Sequence, residues 1–461
     1  MAYTSLTFRT VWLLLISLAL ARYTHIPNDD QRWVAVWTSM PQLTEPANLP
    51  SGTFNATPKF KDTTLRQTIK LDLPALSSNI STRKIRLRIS NAFGTTPLDI
   101  TAASVARPLG NRAGVAVIEE QTAQPLTFNS GSNNIHISPG ALGVSDALDF
   151  DFSGIDTYVG NGTVQSGSII TISLYLQNGQ QGEAITSHPG SRTTSYLVNG
   201  NQVGQNNLTG QVQPQVHWYF ISAVESLETP SAGALMVVGD SITDGRGSVP
   251  DANNRWPDWL FSRMQRSNHS VARRVAIGNQ AAGGNCALSA CLGPSAVSRI
   301  DRDVLAQPGV SYAMLFIGVN DIGGASADVQ TQTQVADALI AGYRQIITRI
   351  QSLGLPVFGA TITPFGALNP SVQPYSDPAG IREQARAKVN DWIRNSGAFD
   401  AVVDFDAAVR DPTNTTILRS DYDSGDFLHL NPAGYAAMAD AFPLGLFQQF
   451  AKGRRIITAK R

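Results

Sequence analysis

Ala234-Leu235-Met236-Val237-Val238-Gly239-Asp240-Ser241-Ile242-Thr243-Asp244-Gly245-Arg246-Gly247 is the stretch on which the reading of this chain turns. The unbroken apolar run Ala234–Val238 predicts a strand buried on both faces. Gly239 allows a sharp turn, and Ser241 then sits at the strand's carboxyl end, the edge where open α/β sheets bind ligands. Taken alone, Gly-Asp-Ser is ordinary turn composition. The serine becomes chemically interesting only if the rest of the chain supplies a base, an orienting acid and donors for an oxyanion.

C-terminal to this stretch, apolar runs alternate with helix-period segments. Helices are predicted at Trp256–Gln265, Ala296–Leu305, Val329–Leu353 and Ile381–Asn395, with a last one after Pro432. Strands are predicted at Val275–Ile277, Ala313–Ile317, Val357–Ile362 and Ala401–Phe405. Repeated β-α units imply a parallel sheet flanked by helices, so residues 231–450 are expected to form an α/β domain. N-terminal to the stretch, residues 32–228 read as β-rich. Ile69, Leu71 and Leu73 alternate with Lys70 and Asp72; Ile85, Leu87 and Ile89 with Lys84, Arg86 and Arg88; Ile170, Ile172 and Leu174 with Thr171, Ser173 and Tyr175. Period-two alternation predicts antiparallel strands with one wet face, in a sandwich or jelly-roll-like domain.

Residues 1–21 read as a secretory signal peptide: Arg9, the apolar run Val11–Ala21, and an Ala19-Leu20-Ala21 cleavage pattern. A membrane anchor is the alternative, but the run falls short of the roughly 20 residues that span a bilayer. Six Asn-x-Ser/Thr acceptors, at Asn55, Asn79, Asn161, Asn207, Asn268 and Asn414, agree with secretion. Cys286 and Cys291 are the only cysteines. They either close a small disulfide loop, which we favour in an oxidising compartment, or sit as two buried thiols.

Composition narrows the function. The 461 residues are 42% hydrophobic and 15% charged, and Lys+Arg and Asp+Glu each total 35. Without net charge, neither nucleic acid nor an anionic membrane is an indicated partner. No phosphate-cradling Gly-x-x-x-x-Gly-Lys loop occurs, and Asp404, Asp406 and Asp423 do not cluster with histidines at metal-ligand spacing. No cofactor or metal is expected.

Only six histidines could act as a base for Ser241. His25 follows the signal segment, His136, His188 and His217 fall in the β-rich half, and His269 lies inside a sequon. His429 follows Asp426 by three residues, just before Asn431-Pro432 and the last helix, a spacing that can point both side chains into one cleft. Oxyanion donors are available from Gly284, within Asn279–Asn285, and from the Asn320 amide in Gly318-Val319-Asn320-Asp321. Asp244 and Asp321 read as turn and strand-end residues that could also organise the site. Arg255, Trp256 and Trp259 read as core packing, with a substrate wall as the other option.

The order Gly-Asp-Ser, Gly-Gly-Asn, Gly-Val-Asn-Asp, Asp-x-x-His resembles the GDSL-type, or SGNH, hydrolase family over about Ala234–Phe447. The resemblance implies Ser241 as nucleophile, His429 as base, Asp426 as orienting acid, and Ser241, Gly284 and Asn320 as oxyanion donors. Ile242 stands where the family usually has leucine, and Ala281 where it often has glycine. Together with the N-terminal β-domain and Asn254-Arg255-Trp256-Pro257-Asp258, it looks like secreted acylhydrolases associated with plant-polysaccharide breakdown. The implied function is a secreted serine esterase that cleaves short acyl groups from carbohydrate or aryl esters through an acyl-enzyme. A lipase- or phospholipase-type acylhydrolase and a non-catalytic carbohydrate-binding protein are the rival expectations.

Overall fold

The computed structural model describes residues 30–75, 82–153, 159–160, 163–164, 168–369 and 371–454. The signal-like segment and the sequons at Asn79 and Asn161 lie outside the described residues.

The first half is antiparallel. Its longer strands are β1 (Arg32–Thr38), β2 (Thr63–Leu71), β3 (Thr82–Ser90), β4 (Ala102–Ala106), β5 (Leu148–Asp151), β6 (Ser168–Leu176), β7 (Ser195–Asn199) and β8 (Ile221–Glu228). One sheet runs β1-β8-β3-β5, and a second contains β7-β2-β6-β4 in that order. Val36, Leu87, Ile89 and Val224 of the first sheet join Leu65, Ile69, Ile172 and Leu174 of the second in one apolar core.

The expected wet face is absent from the centre of the second sheet. Every residue of β2 is buried, and so are Thr171 and Ser173 on β6. The polar face is roofed by loops whose carbonyls it satisfies. Arg66 donates to the carbonyls of Ala116, Gln202, Gln205 and Asn206 and to Ser173 Oγ. Burial lowers its pKa to about 10. Such a charge is tolerated inside only because its donors are used. Strand β3 matches the sequence reading better, since Lys84, Arg86 and Arg88 are half-exposed. Arg86 and Arg88 pair with the buried Glu225 of β8.

The chain changes character after Thr229. Strands β9 (Gly233–Gly239), β10 (Val275–Ala281), β11 (Val310–Phe316), β12 (Val357–Ala360) and β13 (Ala401–Val403) form a parallel sheet in the order β10-β9-β11-β12-β13. Strand β9 is buried throughout, as a strand covered on both faces must be. The covering helices include α1 (Ser241–Asp244), α2 (Trp256–Arg266), α3 (Ala296–Ile300), α4 (Val319–Gly324), α5 (Val329–Gln351), α6 (Ile381–Asn395), α7 (Phe405–Val409) and α8 (Pro432–Ala441). Helix α3 runs into a wider π-turn at Asp301–Leu305, so the predicted Ala296–Leu305 helix is two pieces. The apolar stripe of α5 buries Leu339, Tyr343, Ile346, Ile347 and Ile350. Trp256 is fully buried against Phe405 and is core rather than substrate wall.

Because β9 lies between β10 and β11, the sheet order reverses at its carboxyl end. This topological switch point opens a crevice there. The two halves are joined along β1, which packs on β10 and β9. Ala35 N–H bonds Pro308 O at 2.9 Å, and Thr38 Oγ1 bonds Asn279 O at 3.2 Å.

Candidate active site

The crevice at the end of β9 is a cleft of about 810 Å³. Ser241 is the first residue of α1, and Asp240 caps that helix by accepting the Ile242 N–H at 3.1 Å. As a first-turn residue, Ser241 has no carbonyl within the helix to take its N–H. Its side chain is held at the cleft floor, 5% exposed. Burial pushes the Asp240 carboxyl up to about 7, with the Ile242 N–H working against that rise.

His429 and Asp426 come from the turn before α8. Asn431 caps α8 by accepting from the Ala433 and Gly434 N–H groups, and Pro432 starts the helix without needing a donor. Phe427 adopts a left-handed conformation (φ 60°), folding Asp426 back over His429. Asp426 Oδ2 lies 2.6 Å from His429 Nδ1, and Oδ1 accepts the backbone N–H groups of His429 and Leu428 at 2.8 and 3.1 Å. His429 Nε2 lies 2.7 Å from Ser241 Oγ. Burial would raise the Asp426 pKa, but the His429 contacts and these N–H donors outweigh it and hold the carboxyl well below its ordinary range. The structure therefore brings Ser241, His429 and Asp426 into one hydrogen-bonded chain. That order suits a hydroxyl activated by a base whose tautomer is fixed by an acid.

Gly284 and Asn320 border the same cleft. Gly284 is left-handed (φ 67°), and its N–H makes no hydrogen bond among the described residues. Asn320, on α4, donates from Nδ2 to Asn285 O at 2.8 Å and accepts the Tyr375 hydroxyl on Oδ1 at 2.9 Å. Those two bonds settle which way the amide points. Its second Nδ2 hydrogen is left for a bound oxygen. The loop carrying Gly284 is held from several sides. Asp321 accepts the Ala287 and Leu288 N–H groups, and Arg299 donates to Gln280 O and Asn285 Oδ1. Cys286 and Cys291 are joined by a disulfide.

Other sequence candidates fall elsewhere. Asp404 and Asp406 pair with Arg394, and Asp423 accepts turn N–H groups of Gly425 and Phe427. Among the described residues no group of three or more His, Cys, Asp or Glu side chains gathers as a metal cage, and no helix is long and apolar enough to cross a membrane. Asn207 and Asn268 are exposed, while Asn55 and Asn414 are half-buried.

Sequence reasoning missed the share taken by the β-rich half. Gln42, Glu45, Asn48, Arg192 and His217 all line the cleft. They lie on short connecting segments without periodicity, so no pattern marks them. Tyr375, which orients Asn320, likewise sits in an irregular loop.

Residues 237–437 match the GDSL-like lipase/acylhydrolase family. The α/β half belongs to that family. It is a GDSL-type ester hydrolase domain, preceded by an antiparallel β-rich region that the match does not reach. Among solved structures, the chain is similar to a GDSL-like lipase from Bacteroides thetaiotaomicron, with 14% identity over 48% of this chain and 87% of that one (TM-score 0.31). It is also similar to a catalytic mutant of an acetylxylan esterase from Geobacillus stearothermophilus, with 18% identity over 46% of this chain and 92% of that one (TM-score 0.33). No curated protein matches the chain.

Proposed function

We propose that the protein is a secreted serine esterase working through an acyl-enzyme. The observation that carries this reading is the Ser241–His429–Asp426 chain at the floor of the cleft. Ser241 Oγ attacks the ester carbonyl carbon as His429 Nε2 takes its proton. Asp426 keeps the Nδ1 proton in place and stabilises the imidazolium that forms. The tetrahedral oxyanion is met by the N–H groups of Ser241 and Gly284 and by the Asn320 amide. The alkoxy C–O bond then breaks, His429 protonates the departing alcohol, and the acyl group stays on Ser241. Water, deprotonated by His429, repeats the sequence and releases the carboxylic acid.

The β-rich half adds the polar side chains of Gln42, Glu45, Asn48, Arg192 and His217 to the lining, which suits a hydroxyl-rich alcohol such as a carbohydrate. Short acyl groups on carbohydrate or aryl esters are the proposed substrates. One observation favours longer chains: Val216, Leu292 and Val372 line the same cleft and are 41%, 50% and 50% exposed. Secretion rests on the N-terminal segment and the sequons, and a disulfide is at home in an oxidising compartment.

Ser241→Ala should abolish hydrolysis of p-nitrophenyl acetate, a loss of at least ~10⁴ in kcat. A purified, folded Ser241→Ala enzyme at the wild-type rate would end the proposal. Profiling acyl lengths from two to twelve carbons separates the substrates, with rates falling beyond four carbons expected and rates rising with length favouring a lipid. A mobility shift on enzymatic deglycosylation of the secreted protein tests the exposed sequons.

A further inference from the structure

His188 is buried beside the site, yet the Ser–His–Asp chain does not use it. It lies at the end of the short strand Thr186–His188 in the β-rich half and is 4% exposed. Its ring stacks on Trp218, 5.7 Å between centroids. Both ring nitrogens face acceptors: Nδ1 lies 3.1 Å from Met40 O and Nε2 lies 2.9 Å from Asp244 Oδ1. The imidazole is therefore held at both ends, by a backbone carbonyl on one side and by the Asp244 carboxyl on the other.

Asp244 is spoken for on its other side as well. Its Oδ2 accepts the N–H of Gly283 at 2.9 Å, one residue before Gly284. Asp244 also closes the helix that Ser241 opens. A single side chain thus links the nucleophile's helix to the loop that carries the backbone donor, and an imidazole from the other half of the molecule fixes that side chain. Gly190 tightens the fit, because a Cβ there would stand 1.7 Å from Asp244 Oδ2. Only a glycine lets the β-rich segment come this close to the carboxylate.

We propose that His188 is a positioning residue for ester hydrolysis: through Asp244 it holds Gly283 so that the Gly284 N–H meets the developing oxyanion. The β-rich half then takes part in the chemistry without touching the substrate's reacting atoms. This inference rests on the proposed role of Gly284 above.

The test uses the full chain. For His188→Leu, His188→Gln and Gly190→Ala we would measure kcat and KM on p-nitrophenyl acetate, the rate at which diethyl p-nitrophenyl phosphate phosphorylates Ser241, and Tm. Displacing an oxyanion donor without deleting it should lower kcat about 10- to 100-fold. In His188→Leu, KM should stay within about threefold and phosphorylation should slow by the same factor as kcat, since it builds a similar oxyanion. His188→Gln, whose amide places a donor near the Nε2 position, should recover most of the loss. Gly190→Ala removes no polar group and pushes the same carboxylate, so it gives the reading if His188→Leu does not fold. A folded His188→Leu or Gly190→Ala enzyme with wild-type kcat and phosphorylation rate would overturn the proposal, as would a loss confined to KM. Failure of the underlying reading looks different, because there Ser241→Ala itself would stay active.

Discussion

The two halves of the molecule place their polar groups in opposite ways. The α/β half keeps its sheet apolar, and Ser241, Gly284 and Asn320 sit where strands end and backbone donors are unspent. The β-rich half buries polar side chains inside its second sheet, and there the donors of Arg66 are spent on loop carbonyls and on Ser173 Oγ. Polar groups with spare hydrogen-bonding capacity can meet a substrate directly, whereas polar groups with none left act only through the structure they hold. The difference teaches where to expect loss of function and where to expect loss of structure.

Asn320→Ala is the strongest challenge to that division after the nucleophile itself. Losing an oxyanion donor should cost ~10²–10³ in kcat, with Tm nearly unchanged, and a large fall in Tm instead would blur the comparison. Arg66→Met should do the reverse. Several buried carbonyls lose their donors at about 1–3 kcal/mol each, partly regained by the apolar replacement. A net loss of about 3 kcal/mol corresponds to a Tm drop of ~10 °C, while kcat of the folded enzyme at low temperature stays close to wild type.

These two variants also mark what the sequence could disclose. The parallel sheet was legible because strands buried on both faces must be apolar runs, as at Ala234–Val238. Asp426 and His429 were legible because one turn separates them. Alternation at Ile69–Leu73 looks the same whether its polar face meets water or another element, so the burial of Lys70 and Asp72, with Lys70 paired to both Asp72 and Asp258 of α2, was not legible. His188 was set aside by position in the chain, since its partner Asp244 is remote in sequence and nothing local reports the contact.

Two smaller effects refine the comparison on the α/β side. Replacing Cys286 and Cys291 by serine frees a short loop, worth about 2 kcal/mol of local order by loop-closure entropy. Because the loop adjoins Gly284, kcat should fall a few-fold, and an unchanged kcat would remove the disulfide from the account of that loop. Asp240 gives the smallest effect. With its folded carboxyl pushed up to about 7, against about 3.9 for an ordinary aspartate, the folded state holds a proton that the unfolded chain has released. Stability therefore declines as pH rises through that window and changes no further above it. One pH unit inside the window is worth at most about 1.4 kcal/mol. Between pH 5.5 and 6.5, Tm of the wild type should fall about 3–4 °C more than Tm of Asp240→Asn, and equal slopes would show that Asp240 is not the group responsible.

The pairing of β1 with β8 has a consequence for how the molecule is made. Arg32 lies opposite Glu228 and donates through Nε to Ala232 O at 2.7 Å, so the two ends of the β-rich half meet at one point. On the ribosome β1 emerges about two hundred residues before the strand that receives it, and before β9 and β10, against which it also packs. Closing so long a loop adds little to the equilibrium cost, which grows only logarithmically with length, but it orders events in time. Strand β1 can make these contacts only after β8, β9 and β10 have been made, so the β-rich half closes on a chain that already carries the first hydrolase strands.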